Sequence, residues 1–137
     1  GADSDLPGDS IWSIANDADW DRTVFSEYHA AGSRHAAYML RDLTHKYVHY
    51  AYEPAQLFDM ESDPDELTDL AGTEPDRVAD FERRLREICD PIEQDQRAKA
   101  DQIAKIDSFG GVDAVLDRGS FDNSPVPGEK PAFRNHK

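Results

Sequence analysis

The chain has 137 residues, and its 29 acidic residues against 15 basic ones give a formal net charge of −14. A surface this acidic repels phosphate backbones, which argues against nucleic acid as a partner. The sequence has no run of 18 apolar residues and no basic start followed by an apolar segment. It therefore predicts neither a membrane span nor a signal peptide, and the compartment stays open between cytoplasm and periplasm.

Two further features of composition concern the source of the chain. Aspartate outnumbers lysine by 20 to 5, and such surfaces stay hydrated at high salt, where screening relieves repulsion between carboxylates. A saline source is one interpretation, and an ordinary acidic protein is the other. The single cysteine cannot form an internal disulfide. The chain begins with Gly1 rather than Met, which indicates a fragment.

The first part of the chain predicts a linker followed by strands. Residues 1–21 are rich in Asp, Ser and Gly and form a linker or docking segment with a few apolar side chains. Four short segments then alternate or enrich β-branched and aromatic residues, as half-buried strands do. These predicted strands cover residues 22–28, 37–41, 46–51 and 56–60. Their short connections favour an antiparallel sheet that needs cover on its apolar face.

The following segment predicts that cover. Asp63, Pro64 and Glu66 form a capping box that predicts a short helix ending at Gly72. From Pro75 a longer helix carries one apolar stripe. The stripe consists of Val78, Phe81, Leu85, Ile88 and Ile92.

The end of that helix predicts an interruption and then a tail. Asp90-Pro91 predicts a kink or a fresh helix start, because proline removes a helical donor. Further helix is expected to about residue 118, and residues 120–137 are expected to form an extended tail. The expected fold is therefore α+β, with a four-stranded antiparallel sheet packed against a long kinked helix. Residues 22–119 would form the subdomain, with strands over 22–60 and helices over 64–118.

Three motifs give the chain a family resemblance. They are Ser26-Glu27-Tyr28-His29, then Arg41-Asp42 leading to Lys46-Tyr47, and Leu57-Phe58-Asp59 leading to Asp63-Pro64-Asp65-Glu66. In this order they resemble the C-terminal region of type I sulfatases. These are formylglycine-dependent sulfuric ester hydrolases of the alkaline phosphatase superfamily, and the choline-sulfatase-like branch is the nearest in style.

The resemblance implies chemistry that this chain does not supply. Such enzymes convert the Cys or Ser of a C-x-P-x-R or S-x-P-x-R motif to formylglycine, and they bind a divalent cation, Ca²⁺ foremost. Here Cys89 and Pro91 keep the spacing, but Glu93 stands where the motif requires arginine. We therefore expect Cys89 to be a structural thiol. Asp122-Asn123 lacks companion carboxylates, so no catalytic or metal-binding residue is predicted in this chain.

The resemblance also implies a substrate-proximal site at Glu27, Tyr28 and His29. In choline sulfatases the corresponding stretch approaches the substrate pocket, although Ala31 stands where that branch often has a glutamate. The alternative is a surface histidine beside a glutamate paired with Arg22 or Arg41. His45 and His49 would lie about 13 Å apart on a strand, too far for one metal ion.

Together these features predict a C-terminal sulfatase subdomain. It would form part of the wall of the substrate pocket and make oligomer contacts, with the catalytic domain of a parent sulfatase as its partner and a homo-oligomer as its assembly. The isolated chain would be inactive. The alternative from another class is a stand-alone acidic interaction or oligomerisation module without enzymatic activity.

Overall fold

A computed structural model describes residues 10–16, 22–29 and 33–119 of the chain. The predictions for residues 1–9, 17–21 and 120–137 lie outside these residues. The described elements are α1 (Ile11–Asn16), β1 (Val24–Tyr28), β2 (Ala37–Arg41), β3 (His45–Tyr50), β4 (Glu53–Asp59), α2 (Pro75–Ile88), α3 (Pro91–Ser108) and α4 (Val112–Arg118). The chain divides into two compact units, residues 1–91 and residues 92–137.

The four strands form one antiparallel sheet in the order β1-β2-β3-β4. This confirms the predicted α+β class. The turn between β2 and β3 is closed by Asp42, whose carboxylate accepts hydrogen bonds from the backbone N–H groups of Thr44 (3.1 Å) and His45 (2.8 Å). Such side-chain-to-backbone bonds are why Asp favours tight turns.

One side of the sheet, called here the helix face, carries the core. Tyr38, Leu40, Tyr47 and Leu57 are each at most 1% exposed, and strand register places them on the same side. Phe81 of α2 stacks on Tyr47 with 5.6 Å between ring centroids. Leu85 of α2 is also fully buried. Burying side chains of this size contributes about 1.5–3 kcal/mol each, so this face holds the unit together.

The opposite side, called here the outer face, is less covered. Val24 is 48% exposed and Tyr28 is 51% exposed. Met39, Val48 and Tyr50 on the same side are only half-buried. The period-2 alternation of strands produces this division, because each strand sends successive side chains to opposite faces.

The edge strand β4 is protected by the loop over residues 60–74. The N–H of Leu57 donates to the Asp69 carboxylate (3.0 Å), and the N–H of Leu70 donates to the carbonyl of Leu57 (2.8 Å). Pairing of this kind blunts an edge that would otherwise template association. β4 also begins earlier than predicted, at Glu53, because Pro54 is tolerated on an edge strand.

The predicted helix beginning at Asp63 is wrong. No helix occurs between β4 and α2, a segment that the structure describes throughout. Asp63 instead accepts a hydrogen bond from the N–H of Thr68 (2.7 Å). Glu66 has a φ of 57°, and its carboxylate pairs with Lys46 Nζ at 2.6 Å. Leu67 is 82% exposed, so this segment has no apolar face that a helix could bury.

The break after α2 is a fresh helix start. Cys89 is extended (φ −154°, ψ 163°), and α3 begins at Pro91, which suits the first turn of a helix because its missing N–H would be unpaired there. The carbonyl of Pro91 accepts a hydrogen bond from the Tyr38 hydroxyl at 2.8 Å. No helix of the described residues is long and apolar enough to cross a bilayer.

The second unit is helical over its described residues. In α3, Lys99 Nζ lies 2.8 Å from the Asp95 carboxylate. The chain turns at Gly110 and Gly111, whose φ values of 98° and 91° are accessible to glycine. The N–H of Gly111 donates to the carbonyl of Ile106 (3.1 Å), which closes the end of α3 before α4.

Candidate functional site

The predicted site lies at the C-terminal end of β1, but its three residues do not share one face. Glu27 pairs in register with Tyr38 and therefore lies on the helix face, whereas Tyr28 lies on the outer face. His29 Nε2 is 3.4 Å from the Glu27 carboxylate. The His29 ring also meets the Tyr38 ring edge to face at 5.6 Å. The structure thus brings Glu27 and His29 together and directs Tyr28 away from them.

The alternative pairing of Glu27 with an arginine does not occur among the described residues. The recorded partner of Glu27 is His29. Arg41 lies opposite Val24 in register, at the other end of β1. Glu27 and His29 therefore form a local carboxylate–imidazole pair at the sheet end, with side chains that are 50% and 24% exposed. Such a pair can accept from and donate to a polar ligand.

A second polar group of residues, the Glu82 cluster, was not predicted. One Glu82 carboxylate oxygen accepts from the Tyr47 hydroxyl (2.6 Å) and lies 2.9 Å from His49 Nδ1. Arg86 lies 2.6 Å from the other oxygen. His49 Nε2 is buried, without a hydrogen-bond partner among the described residues. The cluster joins β3 to α2 beside the Tyr47–Phe81 stack.

The ionisation of the Glu82 cluster follows from these contacts. Burial tends to raise the pKa of Glu82, but the hydrogen bond from Tyr47 and the interactions with His49 and Arg86 outweigh it and lower the pKa. Burial, followed by the hydrogen bond to Glu82, strongly raises the pKa of Tyr47. A neutral phenol therefore donates to an ionised carboxylate, a strong arrangement that anchors α2.

The sequence indicates the separate parts of the Glu82 cluster but not their contact. Tyr47 and His49 are two residues apart on one strand face, and Glu82 follows Phe81 on the sheet-facing side of α2. Only the packing of α2 on β3 brings them together. The contacts span 33 to 35 residues, which local patterns do not encode.

The surroundings of Cys89 favour a protonated thiol. Burial raises the pKa of the Cys89 thiol, and the negative charges of Glu27 and Asp90 raise it further. A protonated thiol is a poor nucleophile, in keeping with a structural role. The described residues contain no group of three or more His, Cys, Asp or Glu that could hold a metal ion. Neither formylglycine chemistry nor cation binding therefore fits these described residues.

An open groove lies at the other end of β1. It has a volume of about 400 Å³ and is lined by Ile14, Arg22, Val24, Arg41, Asp42 and Leu43. The Asp42 carboxylate already forms an ion pair, since Arg84 Nη1 lies 3.1 Å from it. Burial tends to raise the pKa of Asp42, but the backbone N–H of His45 and the Arg84 guanidinium lower it. We call this feature the β1–β2 groove.

The fold of this chain is similar to that of a solved structure. A crystal structure of a candidate sulfatase from Bacteroides thetaiotaomicron matches 74% of this chain and 22% of its own, with a TM-score of 0.52 and 23% identity. At this identity the match establishes the similarity of the fold alone. No family model matches the sequence.

Sequence comparison identifies particular relatives. The chain is 44% identical over 70 residues to arylsulfatase K of Xenopus laevis and 41% identical over 70 residues to arylsulfatase K of Danio rerio. Each match covers 49% of this chain and 13% of the relative. The chain thus spans a small part of the curated relatives that it matches. The similarity relates it to a C-terminal region of sulfatases.

Proposed function

We propose that this chain is the C-terminal subdomain of a sulfatase, a hydrolase of sulfate esters. The observation that carries the proposal is the 44% identity over 70 residues to an arylsulfatase K of which those residues make up 13%. The role proposed for this part is to complete the protein around a catalytic centre that lies elsewhere.

The outer face supports this role physically. Its strands carry Val24 and Tyr28, each about half exposed, with Met39, Val48 and Tyr50 between them. An apolar sheet face of this kind marks an interaction surface. We assign the catalytic domain of the parent sulfatase as its partner, because a chain that supplies one fragment of an enzyme must bury such a face against the remainder.

The Glu27–His29 pair is proposed to contact the substrate at the pocket wall. Carboxylate and imidazole lie within 3.4 Å at a strand end, and sites are usually built on strand ends and the loops behind them. Tyr28 points to the outer face, so its proposed contribution is to the partner contact. In the parent enzyme, formylglycine would supply the nucleophile and Ca²⁺ or another divalent cation would stabilise sulfate oxygens.

The branch of the family and the assembly are further parts of the proposal. Ser26-Glu27-Tyr28-His29 favours a choline-sulfatase-like substrate, because a carboxylate at Glu27 attracts a cationic alcohol group. Comparing choline sulfate with an aryl sulfate as substrates tests that branch. The exposed apolar face also favours a homo-oligomer of the isolated chain.

The rival function is a stand-alone acidic interaction or oligomerisation module, which the same exposed face and the charge of −14 also suit. The reading frame that encodes this chain separates the two. A C-x-P-x-R or S-x-P-x-R motif encoded in the same frame supports the sulfatase. If the complete frame encodes neither motif, the interaction module is the function.

Kinetics of the longer protein test the pocket-wall assignment. His29→Ala should raise KM about 2- to 13-fold with kcat unchanged, the effect of one lost neutral hydrogen bond of about 0.5–1.5 kcal/mol. His29→Asn keeps a donor and should recover part of the loss. Glu27→Gln should matter most for a cationic ester, while Glu87→Gln on α2 serves as the matched control. A hundredfold fall in kcat for His29→Ala would contradict the assignment by making His29 an acid or base.

A further inference from the structure

We propose that the β1–β2 groove is a binding site for a small organic anion with an aromatic or aliphatic body. This inference does not rest on the sulfatase assignment. Val24 and Arg41 of the groove also belong to the outer face, so the inference concerns the isolated chain, in which that face is exposed. The groove lies at the start of β1, and Glu27 and His29 lie at its end, roughly 14 Å away along the strand.

The groove carries two arginines that the described residues do not neutralise. Arg41 faces Val24 in register, and Arg22, two residues before the start of β1, lines the groove with them. Neither arginine forms an ion pair with a carboxylate in the described part of the chain. Both side chains are exposed. In a chain of charge −14, two such guanidinium groups form a local cationic site.

The acidic residue among the described residues that line the groove is already paired. The Asp42 carboxylate is occupied by Arg84 (3.1 Å) and by the N–H groups of Thr44 (3.1 Å) and His45 (2.8 Å). These three partners are not among the residues that line the groove. A guanidinium group presents paired donors that match the oxygens of a carboxylate or sulfonate.

Apolar side chains define the rest of the ligand. Ile14, Val24 and Leu43 line the groove, and Leu43 is 68% exposed. A volume of about 400 Å³ lies within the range of about 300–1,000 Å³ that small-molecule sites occupy. Arginines beside aliphatic walls select an anion with an apolar body over inorganic sulfate or phosphate. Because the groove is open, we expect a Kd on the order of 1 mM for a ligand of about 13 heavy atoms.

The test is an NMR titration of the ¹⁵N-labelled 137-residue chain. The probes are 2-naphthoate, 2-naphthalenesulfonate and the neutral 2-naphthylmethanol. Both anions should shift the amides of Val24, Arg41 and Leu43, and the neutral probe should bind at least about fivefold more weakly. Arg22→Gln and Arg41→Gln should each weaken the anions about 3- to 10-fold, as expected for loss of a charge-assisted contact at an exposed site.

Two control variants separate a loss of ligand binding from a change in folding. Arg97→Gln removes the same charge from an exposed position on α3 and should leave Kd within about twofold. Arg41→Lys keeps the charge without the guanidinium fork and should give an intermediate Kd, with an otherwise unchanged spectrum. Equal binding of anions and the neutral probe, shifts confined to other residues, or no saturable shift would each overturn the proposal. Binding of the acidic peptide acetyl-Asp-Phe-Glu-amide ten times more tightly than 2-naphthoate would overturn it in favour of a protein-docking groove.

Discussion

The helix face and the outer face of the sheet differ in how much of their side-chain surface is exposed. On the helix face, Tyr38, Leu40 and Tyr47 are at most 1% exposed. Phe81 of α2 stacks on Tyr47. On the outer face, Val24 and Tyr28 are about half exposed. The same strands therefore bury one face in their own core and leave the other face about half exposed at Val24 and Tyr28.

The comparison shows how the proposed subdomain can have a packed core on one face and an exposed surface on the other. The helix face combines apolar burial with the Glu82 cluster, so α2 is held by packing and by hydrogen bonds. The outer face is about half exposed at Val24 and Tyr28, which leaves it available for the proposed catalytic domain.

The largest expected effect comes from removing a helix-face side chain. Phe81→Ala should lower the free energy of unfolding by about 3–5 kcal/mol, because it deletes a fully buried ring and leaves a cavity. Tyr28→Ala on the outer face should lower it by less than about 1 kcal/mol in the isolated chain. Urea unfolding of both variants measures the difference. Equal losses would mean that the two faces are not distinct in energy.

The Glu82 cluster should give the next largest effect. Glu82→Gln should lower the free energy of unfolding by about 1–3 kcal/mol, since it weakens hydrogen bonds to partly buried groups. Glu87→Gln, which changes an exposed pair with Arg83 on the same helix, should cost less than about 1 kcal/mol. A double-mutant cycle with Tyr47→Phe should show non-additivity. Additive losses would argue against a coupled cluster.

Acid titration sharpens the same point. The folded-state pKa values of Glu82 and Asp42 lie below their usual values. A depressed carboxylate pKa contributes stability that is present above the unfolded pKa and is lost as pH falls through the folded one. The chain should therefore lose stability below about pH 4.5, and Glu82→Gln should make the loss less steep. If Glu82→Gln and the unsubstituted chain lose stability identically as pH falls, Glu82 does not contribute to the acid sensitivity.

Salt should have the smallest effect and should act on both faces alike. The charge of −14 opposes compaction, and screening relieves that repulsion. The midpoint of thermal unfolding should rise by a few degrees between low salt and about 1 M NaCl, since about 1 kcal/mol corresponds to roughly 4–8 °C in a small domain. Phe81→Ala should show the same rise. A flat or falling midpoint would indicate that the carboxylates are already paired.

Local patterns predicted the sheet well because strand alternation and turn chemistry are short-range. They placed β2 at its observed bounds, β3 within one residue and the Asp42 turn between them. They failed for residues 63–72, where the capping box of Asp63 and Glu66 competes with long-range contacts. Glu66 pairs with Lys46 twenty residues away.

The candidate site was predictable only in part for the same reason. The sequence placed Glu27 and His29 at a strand end, and the structure joins them at 3.4 Å. Strand alternation already placed Glu27 and Tyr28 on opposite faces, and the register agrees. Which of the two faces α2 covers became clear only from the packing of Phe81 on Tyr47. The β1–β2 groove forms where α1, the start of β1 and the turn between β2 and β3 come together. No local sequence motif predicts that arrangement.

The central claim is that the outer face is covered by the remainder of a sulfatase. Ser26 lies exposed on that face, and Glu87 is 64% exposed on α2, so single cysteines at these positions report the two surfaces. In a Cys89→Ser background, the measurement is the rate of maleimide labelling of Ser26→Cys and Glu87→Cys, in the dilute isolated chain and in the longer encoded protein. We predict fast labelling of both sites in the isolated chain and at least tenfold slower labelling of Ser26→Cys in the longer protein, with Glu87→Cys unchanged. Equally fast labelling of Ser26→Cys in both proteins would contradict the claim.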